Sequence, residues 1–145
     1  MENQRFLTQV RGRALQLAGA IALGTAGYHG ISGDRILRAM ELRADDMEFV
    51  TGTFQIGTMG WVAGGVLLLG AARMDSAQAR NWIVGVTAVL FGIPAFGTLA
   101  LTGGQVSLGG VLLAAVVALG LWGRALPATV EAAPSHASSL ALATH

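Results

Sequence analysis

Three long stretches without a charged residue constrain what this chain can fold into. They run over residues 14–33, 49–72 and 81–123 and contain 20, 24 and 43 residues. A helix needs about 20 predominantly apolar residues to cross the hydrocarbon core of a bilayer. The first two stretches therefore fit one crossing each, and the third fits two. Only 12% of the residues are charged, whereas soluble domains usually contain about 25%.

The sequence therefore predicts an all-α fold, an integral membrane four-helix bundle. Within the longest stretch, Thr102, Gly103, Gly104 and Gln105 supply the break between two helices. A basic segment before an apolar run is also typical of a signal peptide, but 20 residues exceed the usual apolar region of about 7–15. We therefore interpret residues 14–33 as a retained first helix. The four predicted helices cover about 14–33, 49–72, 82–101 and 106–123.

The segments outside these helices are polar. Residues 1–13 are predicted to be a cytoplasmic N-terminal segment, and 34–48 a charged extracytoplasmic loop that carries a short amphipathic surface helix. Asp45 and Glu48 have the spacing of a capping box that starts the second membrane helix. Residues 124–145 are rich in Ala, Ser, Thr and Pro without a sustained helical period, which predicts a disordered cytoplasmic tail.

The arginines indicate the orientation of the predicted bundle. Six of them lie in the N-terminal segment, in the 73–80 turn and at the start of the tail, and three lie in 34–48. Cytoplasmic loops carry the excess of basic residues, so both termini are expected inside. Trp82 and Trp122 would then lie at the inner interface. The expected location is a bacterial inner membrane, with the bilayer as surroundings and a membrane protein or a second copy as possible partner.

Two polar stripes are predicted on neighbouring helices, at similar depth near the outer side. On the first helix Tyr28 and His29 share a face with Thr25 and Ser32. Facing stripes would form a polar pocket in which His29 acts as acid, base or hydrogen-bond donor. Hydrogen bonding between helices alone is the other interpretation, and both stay open. The second helix supplies the remaining candidate pocket residues: Glu48, Thr51, Gln55 and Thr58.

Two other faces consist of small residues, which let helices approach closely in membranes. Gly57, Gly60 and Gly64 lie opposite the polar stripe of the second helix. The second small face lies on the fourth helix, where the spacing is again four residues: Gly110, Ala114 and Ala118. We predict both faces to be helix-packing surfaces. Trp61, near the middle of its helix, is interpreted as a packing residue rather than as a platform for a ligand ring.

Several kinds of chemistry are excluded or disfavoured. The chain has no cysteine, which removes disulfide chemistry, thiolate ligands and cysteine nucleophiles. A net charge of +1 gives no basic field for nucleic acid. Haem is disfavoured because only His29 lies within a predicted membrane helix, and Asp45, Asp46 and Glu48 are interpreted as capping and loop residues rather than metal ligands. We predict no metal and no cofactor, and no catalytic residue can be assigned.

The sequence resembles the broad class of DoxX-like and related four-helix bacterial inner-membrane proteins. The resemblance lies in a first helix that ends in GTAGYHGISGD and a second that opens as EFVTG and closes as VAGGVLLLGAAR. It covers about half of the chain and rests on generic motifs. It implies a four-helix membrane fold, and in some members of the class a link to respiratory or redox systems.

The leading functional hypothesis is an accessory or interaction component of the inner membrane rather than an enzyme. The first alternative is a membrane-embedded enzyme or a binder of quinone or lipid that uses the outer polar pocket. A weaker alternative is a minimal oligomeric transporter, although the first helix lacks the carboxylate that very small proton-coupled exporters place there.

Overall fold

The computed structural model describes residues 2–101 and 103–124, with side chains from residue 6 onward. This part of the chain is all-helical and forms four helices without a strand, which confirms the predicted helix number and class. The helices are α1 (Glu2–Arg38), α2 (Ala44–Ala71), α3 (Ala77–Leu101) and α4 (Leu108–Gly123). Of the predicted tail, 124–145, residues beyond Arg124 lie outside the described part.

Sequential helices pack side by side around the bundle. α1 packs against α2 and α4, and α3 packs against the same two helices, so α1 and α3 are diagonally opposite. Gly12, near the start of α1, faces the carbonyl of Ala72 just after the end of α2, whereas Gly33, near the end of α1, faces Phe54 in the first half of α2. The neighbours are therefore antiparallel, in an up-down-up-down order.

α1 is longer than predicted at both ends. It begins at Glu2 and includes most of the predicted N-terminal segment, because residues 2–13 contain no proline and only one glycine to oppose helix formation. At its other end it includes Ile36 and Leu37, which were predicted to belong to a separate surface helix. Asp34 accepts a hydrogen bond from Arg38 Nε at 2.8 Å. That hydrogen bond and the negative charge of Asp34 raise the pKa of the Arg38 guanidinium.

The connections are short, and polar side chains or glycines mark their ends. α2 begins at Ala44 after Arg43, which makes no side-chain capping bond, so the predicted capping box of Asp45 and Glu48 does not form. α3 begins five residues earlier than predicted because Ser76 Oγ accepts a hydrogen bond from the amide of Ala79 at 3.3 Å. Ser107 caps α4 in the same way, accepting from the amide of Gly110 at 3.0 Å.

A core of aliphatic side chains and one aromatic ring lies along the bundle axis. Every helix contributes to it, and its largest fully buried members are Phe91, Leu15, Leu68, Leu113, Val84 and Val116. Two of the described helices, α2 and α3, are long and apolar enough to cross a membrane, and α4 is apolar but has 16 residues. At 1.5 Å per residue α4 is about 24 Å long.

Candidate functional site

The predicted polar pocket maps to the half of the α1–α2 contact where α1 ends and α2 begins. His29 lies there, half-buried, between two aromatic rings of α2. Its ring centroid is 4.3 Å from that of Phe54, with a tilt of 49°, and 4.6 Å from that of Trp61, with 27° between the planes. These distances are those of aromatic contacts. The partners of His29 are therefore aromatic rings and not the carboxylate of Glu48 or the amide of Gln55, which the sequence suggested as neighbours.

The hydroxyl groups beside His29 bond to their own helices. Thr25 Oγ1 donates to the carbonyl of Ile21 at 2.8 Å, and Thr58 Oγ1 donates to the carbonyl of Phe54 at 3.0 Å. Both threonines are buried. A hydroxyl that donates to the carbonyl four residues earlier satisfies itself within one helix. Neither threonine thus links the two helices through its hydroxyl proton.

The other candidate pocket residues lie nearer the surface of the bundle. Tyr28, Glu48 and Gln55 are exposed, and Thr51 is half-buried. Of the six predicted pocket residues, the structure therefore brings His29 and Thr58 to the centre of the helix contact and leaves Tyr28, Glu48 and Gln55 on the outer surface. At 100° per residue, the face of α2 that meets α1 is rotated by about 70° from the predicted stripe.

Glycines of α1 explain this rotation. A β-carbon added to Gly33 would overlap with the Phe54 ring, and one added to Gly30 would lie 3.3 Å from Thr58 Cγ2. Further along, a β-carbon at Gly19 would lie 2.8 Å from the carbonyl oxygen of Gly65. The two helices therefore meet where glycines allow close approach. The spacing between residues 54, 58, 61 and 65 is four, three and four residues. This helical periodicity could have been recognised in the sequence.

The predicted packing glycines of α2 differ in their surroundings. A β-carbon at Gly64 would lie 2.8 Å from Phe91 Cζ, and one at Gly60 would lie 3.8 Å from Leu90 Cδ1, so both face α3. Gly57 is exposed, and a β-carbon there would have no neighbour within 4 Å. The close approach to α3 is thus concentrated in the C-terminal half of α2.

The small face of α4 borders an open groove between α3 and α4. Ala114 and Ala118 are exposed, Gly110 is half-buried, and all three line a space of about 450 Å³. Apolar side chains of α3, among them Phe96 and Leu99, form the other wall. This groove runs from the α3–α4 connection along most of α4. Within the described chain, the small face therefore faces the surface and not another helix.

The arrangement offers apolar contact but little polar chemistry. Among the described residues, no group of three or more acidic, histidine or cysteine side chains is placed to hold a metal ion. The ring contacts of His29 are with Phe54 and Trp61. No protein-family model matches the chain, and no curated protein or solved structure is significantly similar to it.

Proposed function

We propose that this chain is a multi-pass protein of a bacterial inner membrane, with both termini inside, and that it acts as an accessory component that packs against another membrane helix. The observation that carries the membrane location is the exposure of large apolar side chains in the middle of the helices. Ile56 is 76% exposed on α2, and Val89 is 61% exposed on α3. A protein in water rarely exposes a contiguous apolar surface of this kind, whereas lipid tails are favourable neighbours for it.

Two features support an interaction role over catalysis. The residues of the predicted polar pocket are not gathered around a shared space. The α3–α4 groove instead has a floor of Gly110, Ala114 and Ala118, and small residues at this spacing are typical of helix–helix contacts in membranes. The resemblance to DoxX-like proteins agrees with a membrane bundle and remains a prediction.

Cysteine labelling tests the membrane topology directly, because the chain has no cysteine of its own. Asp45 and Ser76 are both exposed and lie at opposite ends of the bundle. In intact cells, an impermeant maleimide is expected to label Asp45→Cys and to leave Ser76→Cys unlabelled until the membrane is opened. Labelling of Ser76→Cys alone in intact cells would reverse the orientation, and release of the protein by alkaline carbonate would contradict membrane insertion.

Photocrosslinking tests the interaction role. A crosslinking amino acid at Val111, on the groove wall, is expected to give a discrete adduct, whereas one at Ile56, exposed on α2, is the matched control and is expected to react with lipid only. Filling the groove with Ala114→Leu and Ala118→Leu should abolish the adduct. An adduct of twice the chain mass identifies a second copy as the partner helix, and equal reaction at both positions would reject a specific docking groove.

The groove also favours a second candidate, a binder of a quinone or lipid tail. Its volume of about 450 Å³ and its apolar lining suit a hydrocarbon chain. In that case, the purified protein should retain an isoprenoid quinone or one lipid species. The two leucine substitutions should remove this ligand and should leave the crosslinks from Val111 to other proteins unchanged.

A further inference from the structure

Two arginines point to a ligand at the inner end of the bundle, where α1 and α3 begin and α2 and α4 end. Arg11 lies one turn before Leu15, and Arg80 lies one turn before Val84. Leu15 and Val84 are core residues, 0% and 1% exposed. Residues four positions apart lie on the same face of a helix. Both arginines therefore extend from core-facing sides of diagonally opposite helices.

The hydrogen bonding of these arginines is incomplete. Arg80 Nη2 donates to the carbonyl of Met74 in the α2–α3 connection. The Nε atoms of Arg11 and Arg80 are both buried, and neither has a hydrogen-bond partner among the described residues. Among the described residues, Arg38 forms an ion pair with Asp34, and this pair lies at the opposite end of the bundle. Two buried guanidinium donors thus lack an acceptor.

The charge balance at this end of the bundle adds a second reason for an anion. Three further arginines lie in the same region with exposed side chains, at positions 13, 73 and 124, against one acidic residue, Asp75, among the described side chains there. A carbonyl of α2 or α4 could accept one of the free N–H groups, but it would leave the excess positive charge in place. A phosphate oxygen accepts from the planar fork of arginine and also compensates the charge.

We propose that Arg11 and Arg80 together bind the phosphate of an anionic phospholipid of the inner leaflet. The inference rests on the proposed membrane location and orientation. Trp82 follows Arg80 by two residues and is 70% exposed, so an interfacial aromatic side chain lies at the same depth. This depth is that of lipid headgroups, which selects a phospholipid over a soluble phosphate. Basic pockets between helices on the cytoplasmic side are suited to such headgroups.

The test uses the full-length protein purified in a neutral detergent, with phosphatidylglycerol and phosphatidylcholine of identical acyl chains as probes. Native mass spectrometry is expected to show preferential retention of phosphatidylglycerol. The double variant Arg11→Gln/Arg80→Gln should bind it at least about tenfold more weakly, since charge-assisted hydrogen bonds are lost. The control Arg13→Gln/Arg73→Gln removes the same charge from exposed positions at the same end and should change binding by less than about threefold.

Equal loss of binding in both double variants would overturn the proposal, because it would show general charge attraction. Displacement of the lipid by millimolar inorganic phosphate would overturn it in favour of a soluble anion. If the glutamine pair fails to fold, Arg11→Lys/Arg80→Lys keeps the charge without an Nε donor, and wild-type binding by that pair would reject the arginine fork. A protein that resists carbonate extraction but shows no preference for phosphatidylglycerol contradicts this inference alone, whereas carbonate release contradicts the proposed function.

Discussion

The ring of Phe54 occupies the space that a side chain at Gly33 would need. This relationship fixes how α2 lies against the C-terminal half of α1, and it brings His29 between Phe54 and Trp61. Polar residues that the sequence placed at this contact are thereby turned outward. The shape of one helix pair thus decides which residues can form a site.

Gly33→Ala should destabilise the bundle by about 1–3 kcal/mol, since the added methyl group forces the Phe54 ring from its position. Gly27→Ala is the matched control on the same helix, because a β-carbon there meets no atom within 4 Å. Thermal unfolding in detergent measures both. In the double variant Gly33→Ala/Phe54→Ala, part of the Gly33 penalty should disappear. A Gly33 variant as stable as the Gly27 variant would contradict the close contact.

Glycines of α2 should differ in their tolerance of alanine according to their distance from α3. Gly64→Ala is expected to be destabilising by about 1–3 kcal/mol, because its methyl group would lie 2.8 Å from Phe91 Cζ. Gly57→Ala should be neutral or stabilising by up to about 1 kcal/mol, since its surroundings are open and alanine is the better helix former. The reverse order in chemical or thermal unfolding would show that α2 packs differently.

His29→Leu should lower stability by about 1 kcal/mol through the loss of two ring contacts. His29→Phe keeps a planar ring in the same position and should be close to the wild type. The comparison separates packing from chemistry, because phenylalanine cannot exchange a proton or donate a hydrogen bond. If His29→Phe is stable but abolishes a cellular phenotype, His29 takes part in a reaction or binds a ligand, and the packing interpretation fails.

The end of α3 depends on Gly103. The amide of Gly104 donates to the carbonyl of Leu99 at 2.9 Å, and that of Gly103 donates to the carbonyl of Ala100 at 3.3 Å. This is a Schellman motif, and Gly103 has the positive φ of 64° that the motif requires. Gly103→Ala should cost about 1 kcal/mol.

Gly97→Ala, in the interior of α3, is the control for Gly103→Ala. A β-carbon at Gly97 has no neighbour within 4 Å, so alanine should leave stability unchanged or raise it slightly. Both variants can be compared by thermal unfolding in one detergent. Equal effects at the two positions would mean that the left-handed conformation of Gly103 does not limit the stability of this end.

Local signals predicted much of the fold. Charge-free stretches and the Gly103–Gly104 pair predicted four helices, and the structure has four in its described part. The boundaries were less predictable: a continuous α1 extends beyond its apolar stretch on both sides because no residue there ends a helix. Ser76 and Ser107 cap α3 and α4, and because serine is a preferred N-cap residue, both caps could have been predicted from the sequence.

By itself, the sequence determined that the described part of the chain is helical, that this part forms four helices and that much of its surface is apolar, since these properties follow from composition and from residues close together in the chain. Only the tertiary structure decided which face of α2 meets α1. A polar stripe and an aromatic stripe lie about 70° apart on α2, and either could have formed the contact. Gly30 and Gly33 accept Thr58 and Phe54, whereas Glu48 and Gln55 lie on the exposed surface of α2. Close packing at these glycines selected the aromatic face of α2, because such packing depends on the surfaces of both helices at once.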